Sequence, residues 1–141
     1  MKNKIFTSSA TDIGLLILRI GIGIMFILHG LPKLSGGTET WNFLGSQMSV
    51  VGITFAPVFW GFMAALSESL GGLLLLLGLF TRPAALLMLF TMLIATLMHF
   101  TNGDGIKGAS HAMEMGIVFL SVIFTGAGHY SLDHLIFTGK K

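Results

Sequence analysis

Long apolar runs dominate this chain and constrain its fold more than any other feature of the sequence. Four such runs follow one another: residues 13–31, 58–80, 84–100 and 109–126. The first run is interrupted only by Arg19 and His29, and the second carries Glu68 as its single charge. A helix that crosses a bilayer needs about 20 mostly apolar residues. The pattern therefore predicts an all-α membrane protein, built as a bundle of four transmembrane helices.

The charged fraction excludes most soluble alternatives. Only 10% of the residues are charged and 53% are hydrophobic, whereas a soluble domain carries roughly 25% charged residues. The net charge of +2 comes without a basic cluster, which disfavours a nucleic-acid partner. The chain has no cysteine, which excludes disulfides, thiolate nucleophiles, iron–sulfur clusters and cysteine-based zinc sites. We expect one membrane domain over residues 1–141, with the lipid bilayer as its main partner.

Helix breakers mark the expected joints between the spans. Pro32 is predicted to end the first span, and the turn at residues 81–83 to separate the second from the third. The Asn-Gly-Asp-Gly segment at residues 102–105 is predicted to separate the third span from the fourth. The segment 40–57 is of intermediate polarity, and its Trp41 suits the headgroup level. We predict an interfacial or re-entrant piece there.

The distribution of basic residues predicts the orientation in the membrane. Four spans place both termini on one side, and that side carries five basic residues against two on the other. The five are Lys2, Lys4, Arg82, Lys140 and Lys141, and the two are Lys33 and Lys107. Because cytoplasmic loops are enriched in Lys and Arg, both termini should be cytoplasmic.

Ionisable residues within the runs form a candidate intramembrane polar site, made of Arg19, Glu68, His99 and Glu114. A charge at the bilayer centre costs at least about 2.5–3.5 kcal/mol, so such groups should face the bundle interior and find partners. The estimated depths of Arg19 and Glu68 differ by roughly 8 Å at 1.5 Å per residue, which a long arginine nearly covers. The alternative is a Glu68 that stays protonated and neutral. A purely structural pair and a functional pair are both open.

A candidate outer vestibule gathers His29, Lys33 and His111 at the non-cytoplasmic ends of the spans. His29 and Lys33 are four residues apart and share a helix face, as do His111 and Glu114 at three residues. The alternative is that these histidines are interfacial side chains without a joint role. His99, His111 and Glu114 have the ligand types of a zinc site, but only one pair has ligand spacing, so we predict no metal.

Four different strings of residues follow one another along nearly the whole chain. They are Arg19 with His29-Gly30-Leu31-Pro32-Lys33, Glu68-Ser69-Leu70-Gly71-Gly72 through Gly78 to Ala84, Met92 and Ala95 with His99, and Glu114 with Gly126 to Asp133. Together these strings resemble the DoxX family of small bacterial membrane proteins. One departure is Ala127, which stands where the family often has the proline of a Gly-Pro-Gly turn.

The resemblance implies a multi-pass protein of the bacterial inner (cytoplasmic) membrane. It also implies a redox setting, since relatives include the DoxD subunit of an archaeal thiosulfate:quinone oxidoreductase. A mycobacterial DoxX is associated with a membrane redox-defence complex. The family positions carried over to this chain give locations without an assigned chemistry: Arg19, His29, Lys33, Glu68, Arg82, His99 and Glu114.

Three functions fit these observations. The first is a component or anchor of a membrane redox complex, with quinone held by Glu68, His99 and Arg19 in an apolar slot. The chain encodes no redox centre, so any quinone-linked oxidoreductase activity needs electrons from a bound cofactor or a redox protein partner. The second is a structural scaffold without chemistry of its own. The third is a proton or small-solute transporter, which would have to be a homo-oligomer because the chain lacks an internal repeat.

Overall fold

Every element in the described part of the chain is helical. The computed structural model describes the backbone of residues 2–138 and the side chains of residues 9–137. Its α-helices are α1 (Lys2–Ser35), α2 (Gly37–Ser46), α3 (Pro57–Leu77), α4 (Thr81–Thr101), α5 (Gly105–Thr125) and α6 (Leu132–Thr138). A short 3-10 helix, Gln47–Val51, follows α2.

Four helices are long and apolar enough to cross a membrane: Ser9–Ser35 of α1, and the whole of α3, α4 and α5. The predicted all-α architecture with four spans is confirmed. The cytoplasmic orientation of the termini stays a prediction. Of the five basic residues on which this orientation rests, four, at positions 2, 4, 140 and 141, lie outside the described side chains.

Two helix boundaries differ from the sequence-based expectation. α1 continues through Pro32 to Ser35, so this proline lies inside the last turn and does not end the helix, although it lacks the N–H of one backbone hydrogen bond. Thr81, Arg82 and Pro83 form the first turn of α4, where a proline is well tolerated. The reversal between α3 and α4 instead takes place at Gly78, whose φ of 65° is accessible to glycine at little cost.

Glycines bring α1 and α3 into direct backbone contact. A Cβ atom added to Gly30 would collide with the backbone of Ser69, and one added to Gly72 would lie 2.9 Å from the carbonyl oxygen of Gly23. Lipid tails are as apolar as leucine, so membrane helices associate through close packing of small residues rather than by hydrophobic exclusion. These contacts fix the register of α1 along α3.

The second helix extends the same contact along the first half of α3. A Cβ atom on Gly61 would collide with the backbone of Trp41, and one on Gly45 with the backbone of Pro57. The Trp41 indole donates a hydrogen bond of 3.0 Å to the carbonyl oxygen of Lys33, which ties α2 to the end of α1. The segment 40–57 is thus largely helical, and its position at the membrane interface stays a prediction.

The remaining helices complete the bundle. α4 packs mainly on α5, while α3 packs mainly on α1 and α2. The rings of Phe26 on α1 and Phe119 on α5 meet edge to face at 5.0 Å and join the two halves. The Asp133 carboxylate of α6 accepts hydrogen bonds from the backbone N–H groups of Phe80 (2.7 Å) and Thr81 (2.9 Å). It thereby satisfies free donors at the start of α4.

We expect Gly30→Ala to destabilise the bundle, because the new methyl group meets the backbone of α3 and neither helix can give way. Overpacking of this kind costs about 1–3 kcal/mol. Gly21, with nothing within 4 Å of an added Cβ, is the matched control on the same helix. Thermal unfolding in detergent should show a lower midpoint temperature for Gly30→Ala than for the wild type. The midpoint temperature of Gly21→Ala should not be lowered. Equal midpoints would contradict the contact.

Candidate functional site

A cavity of about 550 Å³ lies mainly between α3 and α4. Most of its wall is apolar, with Phe59 and Leu70 from α3 and Leu87 and Phe90 from α4. Toward the end of the bundle where α1 and α4 finish and α5 begins, ionisable side chains enter the wall. They are His29, Lys33, Glu68, His99 and His111. The cavity therefore has an apolar main part and a polar end.

The Glu68 carboxylate is the most buried of these groups, and Lys33 neutralises it. Lys33 Nζ donates hydrogen bonds to both carboxylate oxygens of Glu68, at 2.6 Å and 2.8 Å. The Glu68 side chain is 6% exposed and the Lys33 side chain 36%. Because Gly30 lies against Ser69, the next turn of α1 carries Lys33 to the carboxylate. The ion pair is therefore a direct consequence of the glycine contact.

Of the alternatives left open for Glu68, the contact with Arg19 is not formed. The register of α1 puts Arg19 about 16 Å further along the helix than Gly30, at 1.5 Å per residue. The sequence places the two groups closer only if the two spans are centred at the same depth, whereas the glycine contacts set a different offset between α1 and α3.

Arg19 instead holds the C-terminal segment against the bundle. It is 1% exposed, and its guanidinium donates a hydrogen bond to the backbone carbonyl of Tyr130. A Cβ atom on Gly78 would collide with the guanidinium, so the absence of a side chain there makes the space. Arg19 does not line the cavity. Its contacts with Tyr130 and Gly78 indicate a structural role.

Glu114 also lies apart from the cavity, on the exposed outer face of α5. Residues three apart on a helix differ in direction by about 60° at 3.6 residues per turn. This rotation is enough to leave His111 in the cavity wall while Glu114 points away from it. The candidate intramembrane site of four residues is thus divided: Glu68 and His99 line the cavity, and Arg19 and Glu114 do not.

The histidines of the vestibule come together around the polar end of the cavity. The rings of His29 and His111 lie 6.1 Å apart, between α1 and α5. His99 Nδ1 lies 2.8 Å from a carboxylate oxygen of Asp104, in the turn after α4. From the sequence alone, Asp104 is only part of the turn at residues 102–105. The signal that points to it is an aspartate five residues beyond a histidine that ends a helix.

Neutral polar side chains also line the wall. The hydroxyls of Ser67 and Thr91 are hydrogen-bonded at 3.1 Å and link α3 to α4. The Trp60 indole N–H is buried and has no protein hydrogen-bond partner, which leaves one donor near the cavity unsatisfied. An unpaired buried donor carries a cost in stability.

A second polar cluster, outside the cavity, occupies the opposite end of the bundle. Asp12 accepts hydrogen bonds from the backbone N–H of His129 and contacts its Nδ1 at 2.7 Å. The rings of His129 and His134 lie 4.5 Å apart. Within the described residues, no group of three His, Asp or Glu side chains is arranged to hold a metal ion.

We expect Lys33→Met to destabilise the protein more than Glu68→Gln, by about 1–3 kcal/mol. The first change strands a buried carboxylate, whereas the second leaves a lysine that already reaches solvent. Unfolding of both variants and of the double variant in detergent measures the difference. The double variant should regain much of the stability that Lys33→Met loses. Equal losses in the two single variants would argue against this asymmetry.

Comparison with known proteins places the chain in a family. The DoxX family model matches residues 14–101. The chain is 32% identical to the "Putative oxidoreductase CatD" of Bacillus subtilis, over 92% of both proteins. It is 34% identical to the inner membrane protein YqjF of Escherichia coli, over 89% of this chain and 93% of YqjF. No solved structure matches significantly. The chain is therefore an inner-membrane protein that belongs to the DoxX family.

Proposed function

We propose that the cavity binds a quinone and that the protein is a quinone-binding component of a membrane redox complex. The observation that carries this proposal is the cavity itself, with its apolar wall, its volume of about 550 Å³ and one polar end. Binding sites for small molecules typically have about 300–1,000 Å³, a mostly apolar lining and a few placed polar groups. A quinone has the matching chemistry, with an apolar body and two carbonyl oxygens.

The polar groups of the cavity suit a carbonyl ligand. Lys33 Nζ has three hydrogen atoms and donates two hydrogen bonds to Glu68. The third N–H is left as a charged donor for a ligand oxygen. The ion pair also fixes the lysine in place before a ligand arrives, so little side-chain entropy is lost on binding.

The relative CatD is named as a putative oxidoreductase, which supports a redox role for that protein, and we extend that role to this chain. A quinone itself takes up and releases the electrons and protons. The protein therefore needs to supply only a binding site, an orientation and a polar environment. This division of labour suits a chain without cysteine, which cannot build a thiol or iron–sulfur redox centre. The electrons would pass to or from a redox protein partner.

The transport alternative gains no support from the positions of the polar residues. A proton or solute path through the bundle would need them in one continuous series. Arg19 instead contacts the C-terminal segment, and Glu114 lies on the outer face of α5. The scaffold alternative predicts no ligand, and a binding measurement separates it from the quinone proposal.

We expect the purified protein to bind a short-chain ubiquinone or menadione, and Glu68→Gln to weaken that binding about 10- to 100-fold. Loss of the carboxylate releases Lys33, and hydrogen bonds to charged groups contribute about 1.5–3 kcal/mol. Glu114→Gln makes the same chemical change outside the cavity and is the matched control. Quenching of tryptophan fluorescence during titration measures both.

A second pair of variants tests the cavity wall. Ala95→Leu enlarges a side chain that lines the cavity and should reduce affinity at least tenfold, because it fills the space the ligand needs. Leu86→Phe enlarges an exposed side chain on the same helix and should leave the affinity unchanged. Failure of the wild type to bind either quinone, or equal affinities for all four variants, would refute the proposal.

A further inference from the structure

The contact between His99 and Asp104 has a chemical consequence for any ligand in the cavity. His99 Nδ1 and the Asp104 carboxylate oxygen are 2.8 Å apart. An ionised carboxylate has no hydrogen to donate, so the hydrogen of this bond belongs to His99 Nδ1. In a neutral imidazole with its hydrogen on Nδ1, the other nitrogen, Nε2, carries a lone pair and accepts hydrogen bonds.

The pair is held in place by the start of α5. Asp104 immediately precedes that helix, and Gly108 lies one turn later. A Cβ atom on Gly108 would lie 2.5 Å from Asp104 Cβ and 3.3 Å from His99 Nδ1, so the glycine leaves room for the contact. The Asp104 side chain is 47% exposed and the His99 side chain 31%. The pair thus spans from the aqueous turn to the cavity wall.

His99 lines the cavity, and its described hydrogen bond is made by Nδ1 alone. The free nitrogen Nε2 is therefore the one left for a ligand. The donor at Lys33 suits a carbonyl oxygen, but a neutral His99 in this tautomer suits a hydroxyl group. The polar end therefore carries an acceptor that distinguishes the reduced from the oxidised form of a quinone.

We propose that Asp104 is a positioning residue that makes His99 a hydrogen-bond acceptor, so that the cavity binds the hydroquinone form in preference to the quinone. This inference rests on the proposed function, because it concerns which form of that ligand the site selects. The hydroquinone hydroxyl donates to His99 Nε2, while the quinone carbonyl finds no donor there. The same logic of a carboxylate fixing a histidine tautomer operates in other enzymes.

The test compares duroquinone with duroquinol, which share one carbon skeleton, under anaerobic conditions at neutral pH. We expect the wild type to bind duroquinol about tenfold more tightly, the effect of one well-placed hydrogen bond. Asp104→Ala should abolish or reverse this ratio, because histidine without the carboxylate favours the hydrogen on Nε2. Asp104→Glu should restore the preference. Asp12→Ala, at the carboxylate–histidine pair outside the cavity, should leave the ratio unchanged.

A direct measurement of the tautomer keeps the proposal testable if Asp104→Ala does not fold. Nitrogen-15 NMR of wild-type protein labelled at histidine should show a hydrogen on His99 Nδ1 and none on Nε2, and any hydrogen on Nε2 would overturn the proposal. Equal affinity of the wild type for both ligands, or an unchanged ratio in Asp104→Ala, would also overturn it and leave quinone binding intact. Binding of neither ligand would overturn both.

Discussion

The backbone contact between α1 and α3 is the constraint on which the rest of the structure depends. With Gly30 against Ser69, the two helices have one register, and that register decides which charged residues can meet. Lys33 then reaches Glu68, and Arg19 reaches the C-terminal segment. In a membrane the glycines have a further role, because close packing replaces the hydrophobic exclusion that drives helix association in water.

The three membrane charges singled out from the sequence have three different environments. Glu68 is neutralised by a lysine in the wall of a cavity, whereas Arg19 is buried and donates a hydrogen bond to a backbone carbonyl. Glu114 faces outward from α5. Burial of a charge therefore does not by itself identify a functional site in this protein. The feature that singles out Glu68 is the space beside it, which a ligand can occupy.

Much of the fold could be predicted from the sequence, because four apolar runs and their breakers correspond directly to four helices. The residues of the polar end were also identified one by one, since intramembrane ionisable side chains are rare. The pairing of Glu68 was not predictable, because it depends on the offset between two helices, which hydropathy does not encode. Asp104 was overlooked because an aspartate between glycines is typical of a turn, and only the folded chain brings it to His99.

The bond between Arg19 and Tyr130 also bears on how the protein is made. The two residues are 111 positions apart, so the arginine leaves the ribosome long before its acceptor exists. Until Tyr130 has been synthesised, α1 carries a charge without this acceptor inside or beside the membrane. Arg19 therefore obtains the bond only after the four helices that can span the membrane have been made. A chain interrupted before Tyr130 has the same four helices but leaves the guanidinium without the carbonyl that it binds in the folded bundle.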